Sequence, residues 1–246
     1  KSRKTPQLKL YMIAANKPFL LFLLSFLLIG IGSGSWFTLL FIFIDSYLAM
    51  GSSFAFISLV SMTSALAFLG IWRNLASIFD KQKTWISSAV LLVFGVLGMS
   101  WLTPGTTSLW LLILFVSLSH IGLIGVNLIA PSLLSDIVDY SKWRYCADYS
   151  ATYFSLYTQV IKANLAFGGA LGLAISGMAG FKPSDIVFSD TAVLGLHVGF
   201  SWLPVVLILL SVFLIYKVPI DKRQHQIITR RLSIREMRDR PLAISE

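Results

Sequence analysis

Six long apolar runs, almost free of charge, constrain this chain more than any other feature. They cover about 18–44, 54–76, 85–102, 109–138, 150–177 and 192–218. About 20 helical residues cross the roughly 30 Å of hydrocarbon in a bilayer. The runs are too long and too unalternating for the strands of a barrel, so helices are expected. The composition agrees: 56% of the chain is apolar, 13% is charged, and the mean hydropathy is +0.79. A soluble domain carries about 25% charged residues. The sequence therefore predicts an all-α integral membrane protein, with a kink at Pro131 in the fourth run. Pro204 lies inside the sixth.

The basic residues fix an orientation. Lys1, Arg3, Lys4, Lys9 and Lys17 precede the first run; Arg73, Lys81 and Lys83 join the second to the third; Lys142 and Arg144 join the fourth to the fifth. Lys217, Lys222, Arg223, Arg230, Arg231, Arg235, Arg238 and Arg240 follow the sixth. The loops on the other side hold only Lys182. Positive charge marks the cytoplasmic side, so both termini are expected there. The net charge of +9 thus belongs to a membrane face, and nucleic-acid binding is not expected. Residues 219–246 form a basic tail with helical character around Ile227–Met237. Such a tail either rests on anionic lipid or is simply solvated.

The single cysteine, Cys146, has no intrachain partner and reads as an inert loop thiol. Zinc spacings, a P-loop and a dinucleotide fingerprint are all missing from the sequence. No signal peptide is visible, and the chain opens on Lys1 within a basic stretch. It reads like the interior of a longer protein.

Lys162 is the exception inside the membrane. It lies about 13 residues into the fifth run, roughly 20 Å at 1.5 Å per residue. A charge there costs at least about 2.5–3.5 kcal/mol unless it has a partner or a water-filled cavity. Either it serves a substrate or a coupling ion, or it snorkels to an interface. Helical spacing puts Ser155, Thr158, Gln159 and Lys162 on one face. That face offers hydroxyl and amide groups to a polyol, or hydrogen bonds to neighbouring helices. Tyr157 and Phe154 could stack on a sugar ring or pack. Asn164 falls off the lysine face and reads as structural. In the fourth run His120 and Asn127 are seven residues apart, lining a cavity or forming a polar pair between helices. Trp36 is a sugar platform or, the favoured reading, simple packing. Glycines cluster as Gly30/Gly32/Gly34, Gly122/Gly125 and Gly168/Gly169/Gly172, which permits close helix approach. Asp136 and Asp139 sit at a helix C-terminus, where the dipole disfavours anions. Pairing with loop cations such as Arg144 or Arg73 would make them a gating latch; the alternative is a solvated helix end.

The stretch Asp136-Ile-Val-Asp139-Tyr140-Ser-Lys-Trp143-Arg144 is followed by Tyr153-Phe154-Ser155-Leu-Tyr157 and then Lys162. This pattern resembles the glycoside–pentoside–hexuronide:cation symporters, the melibiose-permease-like branch of the major facilitator superfamily. The family carries an Asp-x-x-Asp-Tyr motif at the cytoplasmic end of helix ten and a lysine in helix eleven. Gly168-Gly169-Ala-Leu-Gly172 and Gly180-Phe181 fit its helix eleven as well. The specific residues lie within about 131–181, and the topology extends over most of the chain. Two features depart from the pattern. The loop TyrCysAlaAspTyrSer places Asp148 where a basic residue is common, and Asp80-Lys81-Gln82-Lys83 only faintly echoes the superfamily's Gly-x-x-x-Asp-Arg-x-Gly-Arg loop.

The resemblance implies twelve helices, of which this chain would be the C-terminal six, in a plasma (bacterial inner) membrane. Residues 1–17 would end the central cytoplasmic loop, and an N-terminal six-helix half would be the missing partner. It further implies Na⁺ or H⁺ as coupling ion, no other cofactor, and a glycoside, pentoside or hexuronide as substrate. Lys162 would lie near the cation and sugar sites, with the cation-binding acids supplied by the other half. Two other classes stay open. One is a self-contained six-helix protein working as a homodimer or scaffold. The other is a membrane enzyme, for which no His/Asp/Glu grouping supplies a centre.

Overall fold

The computed structural model describes residues 15–185, 187–219 and 222–239. Lys1, Arg3, Lys4, Lys9 and Arg240 lie outside the described residues, as do the side chains of several residues in the tail.

Each element follows from local chemistry. Helix α1 (Lys17–Ile42) starts where the Asn16 carboxamide oxygen accepts from the Phe19 amide at 3.3 Å, with Pro18 in its first turn. The next crossing divides into α2 (Phe54–Ala67) and α3 (Leu69–Ile78) around Phe68. Just before that break, Thr63 and Ser64 turn their hydroxyls back to Leu59 O at 2.7 Å and Val60 O at 2.8 Å. Such back-bonding bends helices. Helix α4 spans Lys81–Met99, and α5 runs unbroken through Pro131 from Leu109 to Tyr145. Its 37 residues measure about 55 Å, so its last turns project beyond the hydrocarbon. Cys146 ends it in the left-handed region at φ 56°. Helix α6 is Ser150–Met178.

The last crossing joins α7 (Asp190–His197) to α8 (Leu203–Tyr216) through a wide π turn at Val198–Trp202. Pro204 has no N–H to give the Phe200 carbonyl, and the wider turn accommodates that loss. A second π turn, Phe43–Tyr47, closes the first crossing, and Phe43 stacks on Phe200 at 4.1 Å between centroids. A final helix, α9 (Lys222–Asp239), lies against α5.

Six of these segments are long and apolar enough to cross a membrane: Lys17–Tyr47, Gly51–Ile78, Lys81–Met99, Leu109–Tyr145, Ser150–Met178 and Asp190–Tyr216, numbered here as spans one to six. Their packing forms an open arc. Span five packs on one, one on six, six on three, three on four, and four on two. Exchanging spans one, two and three with four, five and six returns the same arc. Three crossings separate the exchanged members, so the two triplets run in opposite senses, which makes an inverted repeat. The arc leaves its tips uncovered. Only 17% of span two and 28% of span five is buried, against 44–56% in the other four.

Glycine sets the closest crossings. A Cβ on Gly168 of α6 would stand 2.5 Å from Ile31 O and 2.9 Å from Gly34 Cα in α1, closer than real Cβ atoms sit, and 3.0 Å from Ser35 N. The α4–α5 crossing is built likewise, with Gly122 against the Ser88 and Leu92 backbone.

A cleft at the middle of the membrane

Spans one, four and five surround a cleft of about 270 Å³. From α1 it takes Phe26, Ile29, Gly30, Ser33, Gly34 and Phe37; from α5, Leu123, Val126 and Asn127; from α6, Ile161, Asn164 and Leu165. The wall is apolar with a few polar groups, the usual make-up of a small-molecule site.

Asn164 is the most constrained of these groups. Its side chain lies over Gly30, where any Cβ would collide with it. Its amide nitrogen donates to Phe26 O at 3.2 Å, which fixes the flip of the carboxamide. The oxygen Oδ1 is then buried without a hydrogen-bond partner. An unmet acceptor of that kind costs about 1–3 kcal/mol. Ser33 donates to Gly30 O at 3.3 Å, and Asn127, exposed on the opposite wall, donates to Leu123 O at 3.0 Å.

One end of the cleft carries an aromatic cluster. Trp36 is fully buried, with its indole N–H unpartnered and its ring edge-on to His120 at 5.3 Å. Phe37 meets the same imidazole at 6.3 Å. The His120 Nδ1 lies 2.9 Å from Val116 O. A carbonyl only accepts, so Nδ1 carries a proton.

At the other end, where the basic loops lie, a buried network joins the same three spans. Asn16 Nδ2 donates to the Tyr153 hydroxyl at 3.0 Å, and that hydroxyl lies 2.9 Å from Ser141 Oγ. Below it, Lys81 pairs with Asp136 at 2.6 Å and also donates to Ser132 O at 3.3 Å. Gln82 donates to the Ile215 carbonyl, tying spans three and six.

The other residues singled out from the sequence fall in three places. Lys162 shares an exposed face of α6 with Ser155, Thr158 and Gln159, beside the cleft wall and not on it. Thr158 donates to Phe154 O at 2.9 Å, and Phe154 is 38% exposed. Lys162 has no ion pair or hydrogen bond with any described residue. Tyr157 is buried against α1, its ring 4.8 Å from Phe26 and 6.1 Å from Phe22. Asp136 pairs with a loop cation, as expected, but that cation is Lys81 and not Arg144 or Arg73. Arg144 instead donates to the Tyr140 hydroxyl at 2.7 Å and lies over the Tyr140 and Tyr145 rings at 6.0 and 5.6 Å. Asp139 is half-buried one turn beyond Asp136.

Asp148, in the loop before α6, pairs with Lys142 at 3.2 Å and accepts from the Ser150 amide at 2.9 Å and from its hydroxyl. Burial pushes its carboxyl up, but these donors outweigh it and hold the group below the usual carboxylate value.

Sequence reasoning read Asn164 as structural because it lies off the lysine face. The useful signal was the spacing Ile161, Asn164, Leu165, Gly168, a second face of the same helix turned toward the glycines of α1.

An inverted three-span repeat around a cleft at mid-membrane depth is the half-bundle architecture of a major-facilitator-type carrier. The chain belongs to the MFS/sugar transport protein family, whose match covers residues 5–222. No curated protein sequence matches it significantly. It is a multi-pass membrane protein of the sugar-transport type. Among the described residues, no group of three or more His, Cys, Asp or Glu could hold a metal ion.

Proposed function

We propose that the chain is the C-terminal half of a cation-coupled symporter for a glycoside, pentoside or hexuronide. Its basic end faces the cytoplasm of a bacterial inner membrane, and it works by alternating access against an N-terminal six-helix half. The observation that carries this reading is Lys162. The residue is exposed about halfway along α6, on one of the two least covered spans, and no described residue offers it an anion. A cation at that depth needs a carboxylate or water. A facing half that brings the cation-binding acids would supply the first, and a shared cavity the second. Cation binding and sugar binding would then favour each other through one site. Thr158, Gln159, Ser155 and Asn127 would offer hydroxyl and amide groups to the sugar. Asp136, Asp139 and Arg144 would belong to the cytoplasmic gate.

Uptake of a radiolabelled glycoside into proteoliposomes under an imposed Na⁺ or H⁺ gradient tests the reading. The full native protein should accumulate sugar, Lys162→Ala should abolish accumulation, and residues 1–246 alone should be inert. Robust uptake by residues 1–246 alone would sink the half-carrier mechanism and favour a self-contained homodimer.

A further inference from the structure

Helix α9 has two unlike faces, and the carrier mechanism uses neither. Its inner face grips the projecting end of α5. There Ile228 is only 6% exposed, and the Arg231 guanidinium stands 5.7 Å from the Trp143 ring centroid. Its outer face is apolar but uncovered: Ile227, Ile234 and Met237 are 46%, 57% and 69% exposed. With Arg230 these positions recur at i, i+3, i+7 and i+10, a single stripe along the helix. Beside the stripe, Gln226, Thr229, Arg230 and Ser233 line a shallow depression. Of these, the Arg230 guanidinium and the Gln226 amide are donors of the kind a phosphodiester accepts from, while the Ser233 hydroxyl donates to Arg230 O at 2.8 Å.

We infer that α9 is an interfacial helix that binds anionic lipid headgroups through Arg230 and its neighbours and buries Ile227, Ile234 and Met237 at the acyl boundary. Two observations select the bilayer as occupant. The helix carries six basic and two acidic residues, so its charge is complementary to an anionic leaflet. It also begins only six residues after span six ends at Tyr216, a tether of at most about 20 Å that keeps it at the membrane surface. An amphipathic helix with basic flanks and low mean hydropathy lies in the interface plane. Its inner face would carry the lipid contact to Trp143, within the segment of α5 that also holds Asp136 and Asp139.

The test uses the full native protein with Cys146→Ser and Met237→Cys, labelled with an environment-sensitive fluorophore and placed in nanodiscs. In discs of phosphatidylcholine with roughly one-third phosphatidylglycerol, the label should move to a dry environment and resist iodide quenching. In pure phosphatidylcholine it should stay wet, and about 0.5 M NaCl should reverse the anionic-lipid effect by screening. Arg230→Gln should lower the docked-to-free ratio about fivefold, from roughly 1 kcal/mol per basic residue near the surface. A label that stays wet in both lipids overturns the inference. Equal protection in pure phosphatidylcholine or lipid-free detergent overturns it too, and assigns the face to protein contact. A lipid effect insensitive to Arg230→Gln overturns the assigned face.

Discussion

Tyr153→Phe isolates the buried network that closes the basic end of the cleft. Tyr153 is fully buried, and its ring packs edge-on against Phe19 at 4.5 Å, a contact that phenylalanine keeps. The substitution therefore removes one oxygen and little shape. It leaves Asn16 Nδ2 and Ser141 Oγ without the partner that each has at 3.0 and 2.9 Å. Two modest net hydrogen bonds, with a buried donor left unmet, give an expected loss of about 1–3 kcal/mol. Asn16→Ala should cost about 1–2 kcal/mol on its own, because it also removes the cap on the Phe19 amide. The two changes share one bond, so the double mutant should be less destabilised than their sum by about 0.5–1.5 kcal/mol. Reversible unfolding in mixed detergent micelles, followed by far-UV circular dichroism, measures all three variants. A Tyr153→Phe protein as stable as the parent, or strictly additive losses, would refute a network that binds spans one, four and five together.

Two further outcomes follow from the same geometry. Gly168→Ala should destabilise by about 1–3 kcal/mol through overpacking against Gly34 and Ser35, whereas Gly177→Ala, with open space around it, should be neutral or gain up to about 1 kcal/mol; thermal unfolding compares them. Asp148 has a depressed folded pKa, so its contribution is complete above the unfolded carboxylate value of about 3.9 and is lost as pH falls through the lower folded value. Hydrogen exchange at the Ser150 amide should therefore lose protection only in that acid window, and Asp148→Asn should remove the pH dependence.

The fold was largely legible, and for a simple reason. In a bilayer each crossing must satisfy its own backbone, so long apolar runs translate almost directly into helices. The packing order was not legible, because apolar residues cover every side of these spans and leave little periodicity to orient them. Glycines marked the crossings correctly as small, yet only the structure pairs Gly34 with Gly168 and Gly122 with Ser88. Lys162 stood out because charge is rare at that depth, while Asn164 did not, because a neutral amide costs less and is common between helices. Lys81 could not be picked out among the loop cations as a partner of Asp136 for another reason. It lies 55 residues away on a different span, and sequence distance says nothing about which loop cation reaches a carboxylate.

Two unmet polar groups lie within one turn of each other on α6, and that bears on mechanism. At the basic end, Asn16, Tyr153, Ser141, Lys81 and Asp136 satisfy one another. Midway along α6, Asn164 Oδ1 has no donor and Lys162 no anion among the described residues. Each such group costs about 1–3 kcal/mol or more, and the chain offsets that cost through the well-covered spans one, three, four and six. A purely structural helix gains nothing from carrying both deficits within one turn. A helix that meets a changing partner does gain, because a ligand or facing half that supplies the missing donor and anion binds more tightly by what the resting state gave up. On the proposed reading the two deficits should be relieved together, so Lys162 and Asn164 should couple in sugar affinity and not in the stability of the resting protein.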